Sequence, residues 1–168
     1  MSLTFILGGA RSGKSRHAEE LIERLSPPWT YIATAQAYDD EMVERIALHR
    51  SRRPAPWQTL EAPHDLAAAI ANLPSRQPVL VDCLTLWLTN RMLADADLAK
   101  EGDALLAALS AHDGEVFVVS NEVGLGIVPD NALARRFRDA QGRLNQKVAA
   151  EAQRVVFMVA GLTMPVKG

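Results

Sequence analysis

Apolar positions along the chain fall into five short, nearly continuous runs, at residues 3–7, 30–33, 79–81, 116–119 and 155–159. Continuous runs of this length, without strict alternation, predict strands covered on both faces. Between most of them the apolar positions change to helical spacing. Residues 14–25 place Ala18, Leu21, Ile22 and Leu25 along one stripe, and residues 39–52 place Met42, Val43, Ile46 and His49. Further helical patterns cover residues 65–73, 84–93, 97–109 and 131–152. Strands alternating with helices predict an α/β fold with a mostly parallel, doubly wound sheet flanked by helices. In such a sheet, ligands bind beyond the carboxyl ends of the strands.

Nothing divides the pattern into two domains. The stretch Arg52-Arg53-Pro54-Ala55-Pro56 reads as a helix stop and turn, too short for a linker. A single domain over 1–168 is expected, long enough to bury a core without disulfides. Hydrophobic residues at 48% and charged residues at 23% are ordinary for a water-soluble domain. The net charge of −2 gives no general attraction to nucleic acid or anionic membrane, so phosphate binding must be local. One cysteine, Cys83, excludes an intramolecular disulfide and a Cys-rich zinc site. No apolar run reaches the roughly 20 residues of a membrane span. The N-terminal residues lack a basic region and cleavage site, so a cytoplasmic location is expected.

Local phosphate chemistry is present where the first strand meets the first helix. Gly8-Gly9-Ala10-Arg11-Ser12-Gly13-Lys14-Ser15 fits G-x-x-x-x-G-K-[ST] at every fixed position, in the strand-to-helix context that the motif requires. The glycines let backbone N–H groups converge on phosphate oxygens, and the helix start adds its positive dipole end. Lys14 is expected to reach the β- and γ-phosphates, and the Ser15 hydroxyl to bind Mg²⁺. Asp82 ends the run 79–81, where a carboxylate would sit on the metal side of the phosphates. Ser120-Asn121-Glu122 ends another strand, and Asn121 or Glu122 there would orient an acceptor hydroxyl or a metal-bound water.

The other candidates divide less sharply. His49 has Arg50, Arg52 and Arg53 beside it, a setting in which imidazole can attack phosphorus while guanidiniums neutralise phosphate charge. Spacing alone favours an ordinary histidine near a helix C-terminus. His17 follows the phosphate motif on the same helix, His64 reads as an element boundary and His112 as part of a turn. The basic residues Arg135, Arg136, Arg138, Arg143 and Lys147 are interrupted by Asp139 and Glu151 and read as a solvated helical face. Trp29, Trp57 and Trp87 read as packing residues, and no aromatic-basic interleaving points to nucleic acid. On these residues the chain is a P-loop phosphotransferase or NTPase. A small-molecule kinase and a regulatory nucleotide-binding protein both fit.

The detailed sequence narrows this. Residues 6–16 around the P-loop resemble the bifunctional adenosylcobinamide kinase/adenosylcobinamide-phosphate guanylyltransferase family, and the resemblance extends over nearly the whole chain. It runs through Tyr31-Ile32-Ala33-Thr34-Ala35, Asp40-Glu41-Met42, Arg45-Ile46, His49-Arg50, Arg53-Pro54, Trp57 and Glu61. It continues through residues 121–129 and 138–146. Some relatives carry two adjacent histidines where this chain has Leu48-His49, and some have Glu where it has Asp82. The resemblance implies a RecA-like P-loop NTPase sheet, a homotrimer, and His49 as the guanylylated nucleophile. It implies a nucleotide site of Gly8 to Ser15, Ala33, Thr34, Ala35, Arg50, Ser51, Arg52, Arg53, Glu61 and Asp82. ATP or GTP with Mg²⁺ would phosphorylate adenosylcobinamide, and GMP from GTP would then pass through His49 to adenosylcobinamide phosphate.

Overall fold

The computed structural model describes residues 2–36 and 55–168. The predicted helix over 39–52 lies outside them, and with it His49, Arg50, Ser51, Arg52 and Arg53. In chain order the elements are β1 (Ser2–Gly8), α1 (Lys14–Ile22), β2 (Trp29–Ala33), β3 (Trp57–Glu61) and α2 (Leu66–Ala71). They continue with β4 (Val79–Asp82), α3 (Leu84–Leu93), α4 (Leu98–Ala111), β5 (Glu115–Asn121), α5 (Ala132–Glu151), β6 (Arg154–Val159) and β7 (Leu162–Lys167).

The strands form one sheet in the order β3-β2-β4-β5-β1-β6-β7. Every pairing is parallel except β6 with β7. The period-2 geometry of β1 explains its continuous apolar run. Leu3 and Phe5 enter one core with Val79, Val81, Val116 and Val118, beneath Leu66, Trp87, Leu105 and Leu144 from α2 to α5. Ile6 faces the other way, joining Leu80, Phe117 and Met158 against Ala18 and Ile22 of α1. Both sheet faces are therefore covered, as the runs predict. α4 and α5 start on side-chain caps, Asp97 accepting from the backbone N–H of Ala99 and Lys100, and Asn131 from that of Ala134.

Two strands escape the hydrophobic pattern. β3 reads WQTLE and is an edge strand with only partial burial, so no apolar run is needed to hold it. Its register comes from Trp57 opposite Trp29, whose rings meet at 5.3 Å between centroids. β7 is the opposite edge. It carries Pro165, which an edge strand tolerates, and its side chains are exposed. The predicted helix over 14–25 is shorter than its stripe, ending at Ile22.

The three tryptophans are packing residues. Trp87 is only 1% exposed, and its indole N–H donates to the His64 carbonyl at 2.9 Å, fixing α3 to the turn before α2. Trp87→Ala should cost about 3–5 kcal/mol of stability through the cavity it leaves. Urea denaturation measures this, and an unchanged midpoint would show that the core does not depend on this anchor.

Candidate functional site

The parallel part of the sheet brings six strand ends to one edge. Ala33 is in register with Glu61 on one side and with Asp82 on the other, so three of the expected site residues form a row. On the β1–β5 pair, Gly8 lies opposite Asn121, and the Glu122 N–H donates to the Gly8 carbonyl at 3.1 Å. The phosphate motif and the polar exit of β5 are thus joined by backbone.

The loop from Gly8 to Gly13 is shaped by contacts that admit no side chain. A Cβ at Gly8 would come within 2.6 Å of both the Met158 carbonyl oxygen and Ser12 Oγ. Gly13 has φ of 94°, a left-handed conformation natural to glycine, and it precedes α1 without a side-chain cap. The first turn of α1 carries no acidic residue, leaving its amide donors and positive dipole end suited to an anion. The turn between β6 and β7 supports the loop from behind, with the Gly161 N–H donating to the Ser12 carbonyl at 3.0 Å.

Lys14 is buried, and its ammonium donates to the Gly9 carbonyl at 2.5 Å. A second, longer contact reaches Ser12 Oγ at 3.5 Å. Burial pushes its pKa below 10.5, although Cys83 and Asp82 pull it back up. Asp82 accepts a hydrogen bond from the Tyr31 hydroxyl at 3.0 Å, which orients the carboxylate at the end of β4. Thr34 is fully buried. Its hydroxyl donates to the Cys83 carbonyl at 2.7 Å and accepts from the Cys83 N–H at 2.8 Å. That hydroxyl is committed to clasping the exits of β2 and β4, and Asn90 ties the Thr34 carbonyl to that of Pro63 at 2.9 Å each. The Cys83 thiol is pushed up to about 11 by burial and by Asp82, so it stays protonated and unreactive near neutral pH.

The structure thus gathers Gly8, Gly9, Ala10, Arg11, Ser12, Gly13, Lys14, Ser15, Ala33, Thr34, Ala35, Glu61 and Asp82 on one sheet edge, at strand ends, in the loops that follow them or in the first turn of α1. The remaining expected residues, His49, Arg50, Ser51, Arg52 and Arg53, lie outside the described residues. Glu122 turns its carboxylate to the Gly124 N–H at 2.5 Å, closing its own turn. Among the late basic residues, Arg135 donates to the Pro129 and Asp130 carbonyls, while Lys147 pairs with Asp103 and Arg138 with Asp139. His112 is buried against the Gln77 carbonyl at 2.8 Å, a structural contact. Tyr31 and Asn90 are contributors that periodicity does not reveal. The only sequence signal for Asn90 is a polar residue inside the apolar helix LTLWLTNRML.

Among the described residues, no group of three or more His, Cys, Asp or Glu side chains could enclose a metal. Mg²⁺ does not need one, because it is commonly held by one or two protein oxygens together with substrate phosphates. The hard-oxygen pair Ser15 and Asp82, at the start of α1 and the end of β4, fits that pattern.

Comparison with known proteins matches residues 4–166 to the family described as cobinamide kinase / cobinamide phosphate guanyltransferase. A bifunctional adenosylcobalamin biosynthesis protein, CobP, of Pseudomonas aeruginosa PAO1 is 53% identical over 166 residues, spanning 97% of this chain and 96% of that protein. The bifunctional adenosylcobalamin biosynthesis protein CobU of Salmonella typhimurium LT2 is 41% identical over 181 residues, spanning 98% and 99%. Among solved structures, the flagellar accessory protein FlaH of Methanocaldococcus jannaschii aligns with a TM-score of 0.56 at 13% identity. That alignment covers 99% of this chain and 78% of FlaH. At that identity the likeness concerns the fold alone, a mostly parallel sheet flanked by helices.

The lowered pKa of Lys14 has a signed consequence. The unfolded chain holds this proton more tightly, so the charged ammonium costs stability below the folded-state pKa. The cost is relieved as pH rises from that value toward 10.5. Lys14→Met should therefore be no less stable than the parent near neutral pH, with any gain fading as pH approaches 10.5. Nucleotide affinity should nevertheless fall about tenfold or more, because the cation expected to meet the phosphates is gone. Thermal melts across this pH range and nucleotide titrations check both. A Lys14→Met protein that melts earlier at neutral pH but binds nucleotide normally would contradict the assignment.

Proposed function

The chain belongs to the cobinamide kinase / cobinamide phosphate guanyltransferase family, bifunctional enzymes acting on adenosylcobinamide intermediates, and from that premise we propose how its residues divide the two reactions. The observation that carries the assignment is the cradle from Gly8 to Ser15, set at the strand edge where Ala33, Glu61 and Asp82 align.

In the first reaction the γ-phosphoryl group of ATP or GTP passes to the aminopropanol hydroxyl of adenosylcobinamide. The transferred group carries its charge on equatorial oxygens, so catalysis consists mostly of positioning and charge stabilisation. Amides of residues 9–13 and the first turn of α1 receive the phosphates. Lys14 leaves its contact with the Gly9 carbonyl to meet the β- and γ-oxygens. Ser15 and Asp82 would hold Mg²⁺, which would supply charge neutralisation at the phosphates when bound. Tyr31 keeps the Asp82 carboxylate aimed, through its 3.0 Å hydrogen bond. The hydroxyl proton passes to a carboxylate on the acceptor side, for which Glu122, the residue after β5, is the candidate base.

In the second reaction the neutral imidazole of His49 attacks the α-phosphorus of GTP. A P–N bond forms, the bond to the bridging oxygen breaks, and pyrophosphate departs. The phosphate of adenosylcobinamide phosphate then attacks the histidine-bound GMP. The P–N bond breaks, His49 is regenerated and adenosylcobinamide-GDP is released. Arg50, Ser51, Arg52 and Arg53 bind the nucleotide beside it, the guanidiniums neutralising phosphate charge.

The strand order supports a RecA-like assignment, since β5 separates the P-loop strand β1 from the Asp82 strand β4. A homotrimer is supported by the exposed apolar side chains of Leu162, Met164 and Val166 on β7. A cytoplasmic location accords with the free cysteine Cys83. No helix among the described residues is long and apolar enough to cross a membrane.

Two experiments test the division of roles. Asp82→Asn should raise the Mg²⁺ concentration needed for half-maximal kinase rate about tenfold, with little change in melting temperature. An unchanged Mg²⁺ dependence would remove Asp82 from the metal site. GTP labelled at the α-phosphate should mark the protein at His49 with an acid-labile, comparatively alkali-stable adduct, whereas γ-label should not enter that adduct. His49→Asn should abolish the mark and guanylyl transfer while leaving adenosylcobinamide phosphorylation. Full guanylyl transfer by His49→Asn, or a mark mapping to His17, would overturn the nucleophile.

A further inference from the structure

A buried polar network lies beneath the site, joining the end of β5 to α3 and α5. The Asn121 N–H donates to Thr85 Oγ1 at 2.8 Å. The Asn121 carbonyl accepts from Asn145 Nδ2 at 3.1 Å. Ser120 Oγ donates to Asn145 Oδ1 at 2.8 Å and accepts from Gln141 Nε2 at 3.0 Å, and Gln141 Nε2 also reaches Asn145 Oδ1 at 2.9 Å. The hydroxyls of Thr85 and Ser120 meet at 3.5 Å. All four side chains are buried, Ser120 and Gln141 completely.

Such a network is an expensive way to fill a core. Buried polar groups match apolar packing only when every partner is present, and Gln141 Oε1 is left without one. A network retained at that cost invites a positional explanation, and its connections supply one. Thr85 stands three residues after Asp82, at the start of α3. Gln141 and Asn145 are one helical turn apart on α5. Together they hold both the donor and the acceptor of the Asn121 residue, which is itself in register with Gly8.

Resting on the kinase reading above, we propose that Thr85 and Asn145 are positioning residues for phosphoryl transfer. They clamp the backbone of Asn121 so that the β5 exit, on the acceptor side, keeps a fixed distance from the P-loop and from the Asp82 side of the phosphates. The clamp touches neither nucleotide nor metal. It acts through Asn121, so its loss should lower turnover and leave nucleotide affinity in place. A displacement of about 1 Å at reacting groups is enough for a large loss of rate.

Thr85→Val removes the hydroxyl at nearly constant shape, and Asn145→Asp removes the N–H donor to the Asn121 carbonyl. Each should lower the kinase kcat about tenfold or more, with the nucleotide KM within about twofold of the parent. Thr85→Ser, which restores the hydroxyl, should recover most of the rate. Thermal melts identify the folded variants. If Thr85→Val fails to fold, Asn145→Asp and the comparison of Thr85→Ser with the parent decide the matter. A folded Thr85→Val or Asn145→Asp protein with parental kcat would overturn the clamp, as would a loss lying wholly in nucleotide KM. A parent protein that does not phosphorylate adenosylcobinamide at all would instead overturn the kinase reading.

Discussion

The structure turns on a contact too close to admit a methyl group. At Gly8 the chain leaves β1 so near the Met158 carbonyl and the Ser12 hydroxyl that a Cβ would overlap both. That closeness lets the following peptides curl into a ring of donors and deliver Lys14 to the start of α1. Much of the surrounding structure maintains it. β6 supplies the Met158 wall, and the turn into β7 donates from Gly161 to Ser12. β5 lies alongside β1 and receives the Gly8 carbonyl on the Glu122 amide.

From that point the parallel sheet distributes chemistry by register. Strand ends that are level with one another must present their next residues to the same crevice, so Glu61, Ala33 and Asp82 form a row without any side chain pulling them together. Side-chain hydrogen bonds then lock neighbouring exits. Tyr31 holds Asp82, Thr34 holds both the backbone N–H and the carbonyl of Cys83, and Asn90 holds Thr34. The exits of β2, β4 and β5 form a connected rim, since Thr85 continues the chain of contacts from α3 to Asn121.

What could be read in the sequence follows from which interactions are local. The P-loop is a contiguous motif whose glycines, lysine and serine each answer a nearby geometric need, and it stands where the pattern places it. The five buried strands announce themselves because burial on both faces demands unbroken apolar runs. β3 does not, since it is a partly buried edge strand whose place is set by Trp57 meeting Trp29 across the register. β7 is similarly silent, an exposed edge with a proline. The polar rim was the least legible part. Tyr31 and Thr85 lie inside apolar segments, and their partners Asp82 and Asn121 are brought to them only by the sheet order. For Asn145 the resemblance over residues 138–146 marked a segment without indicating what it touches.

The central claim is that the shape of the Gly8 turn, rather than Lys14 charge alone, creates the nucleotide site. Titrating GTP into the parent and into Gly8→Ala, with melting temperature followed in parallel, tests it most directly. The account predicts that Gly8→Ala, while still folded, binds GTP about tenfold or more weakly, because the added methyl must displace Ser12 or the Met158 backbone and open the ring of amides. Parental GTP affinity in a folded Gly8→Ala protein would contradict it.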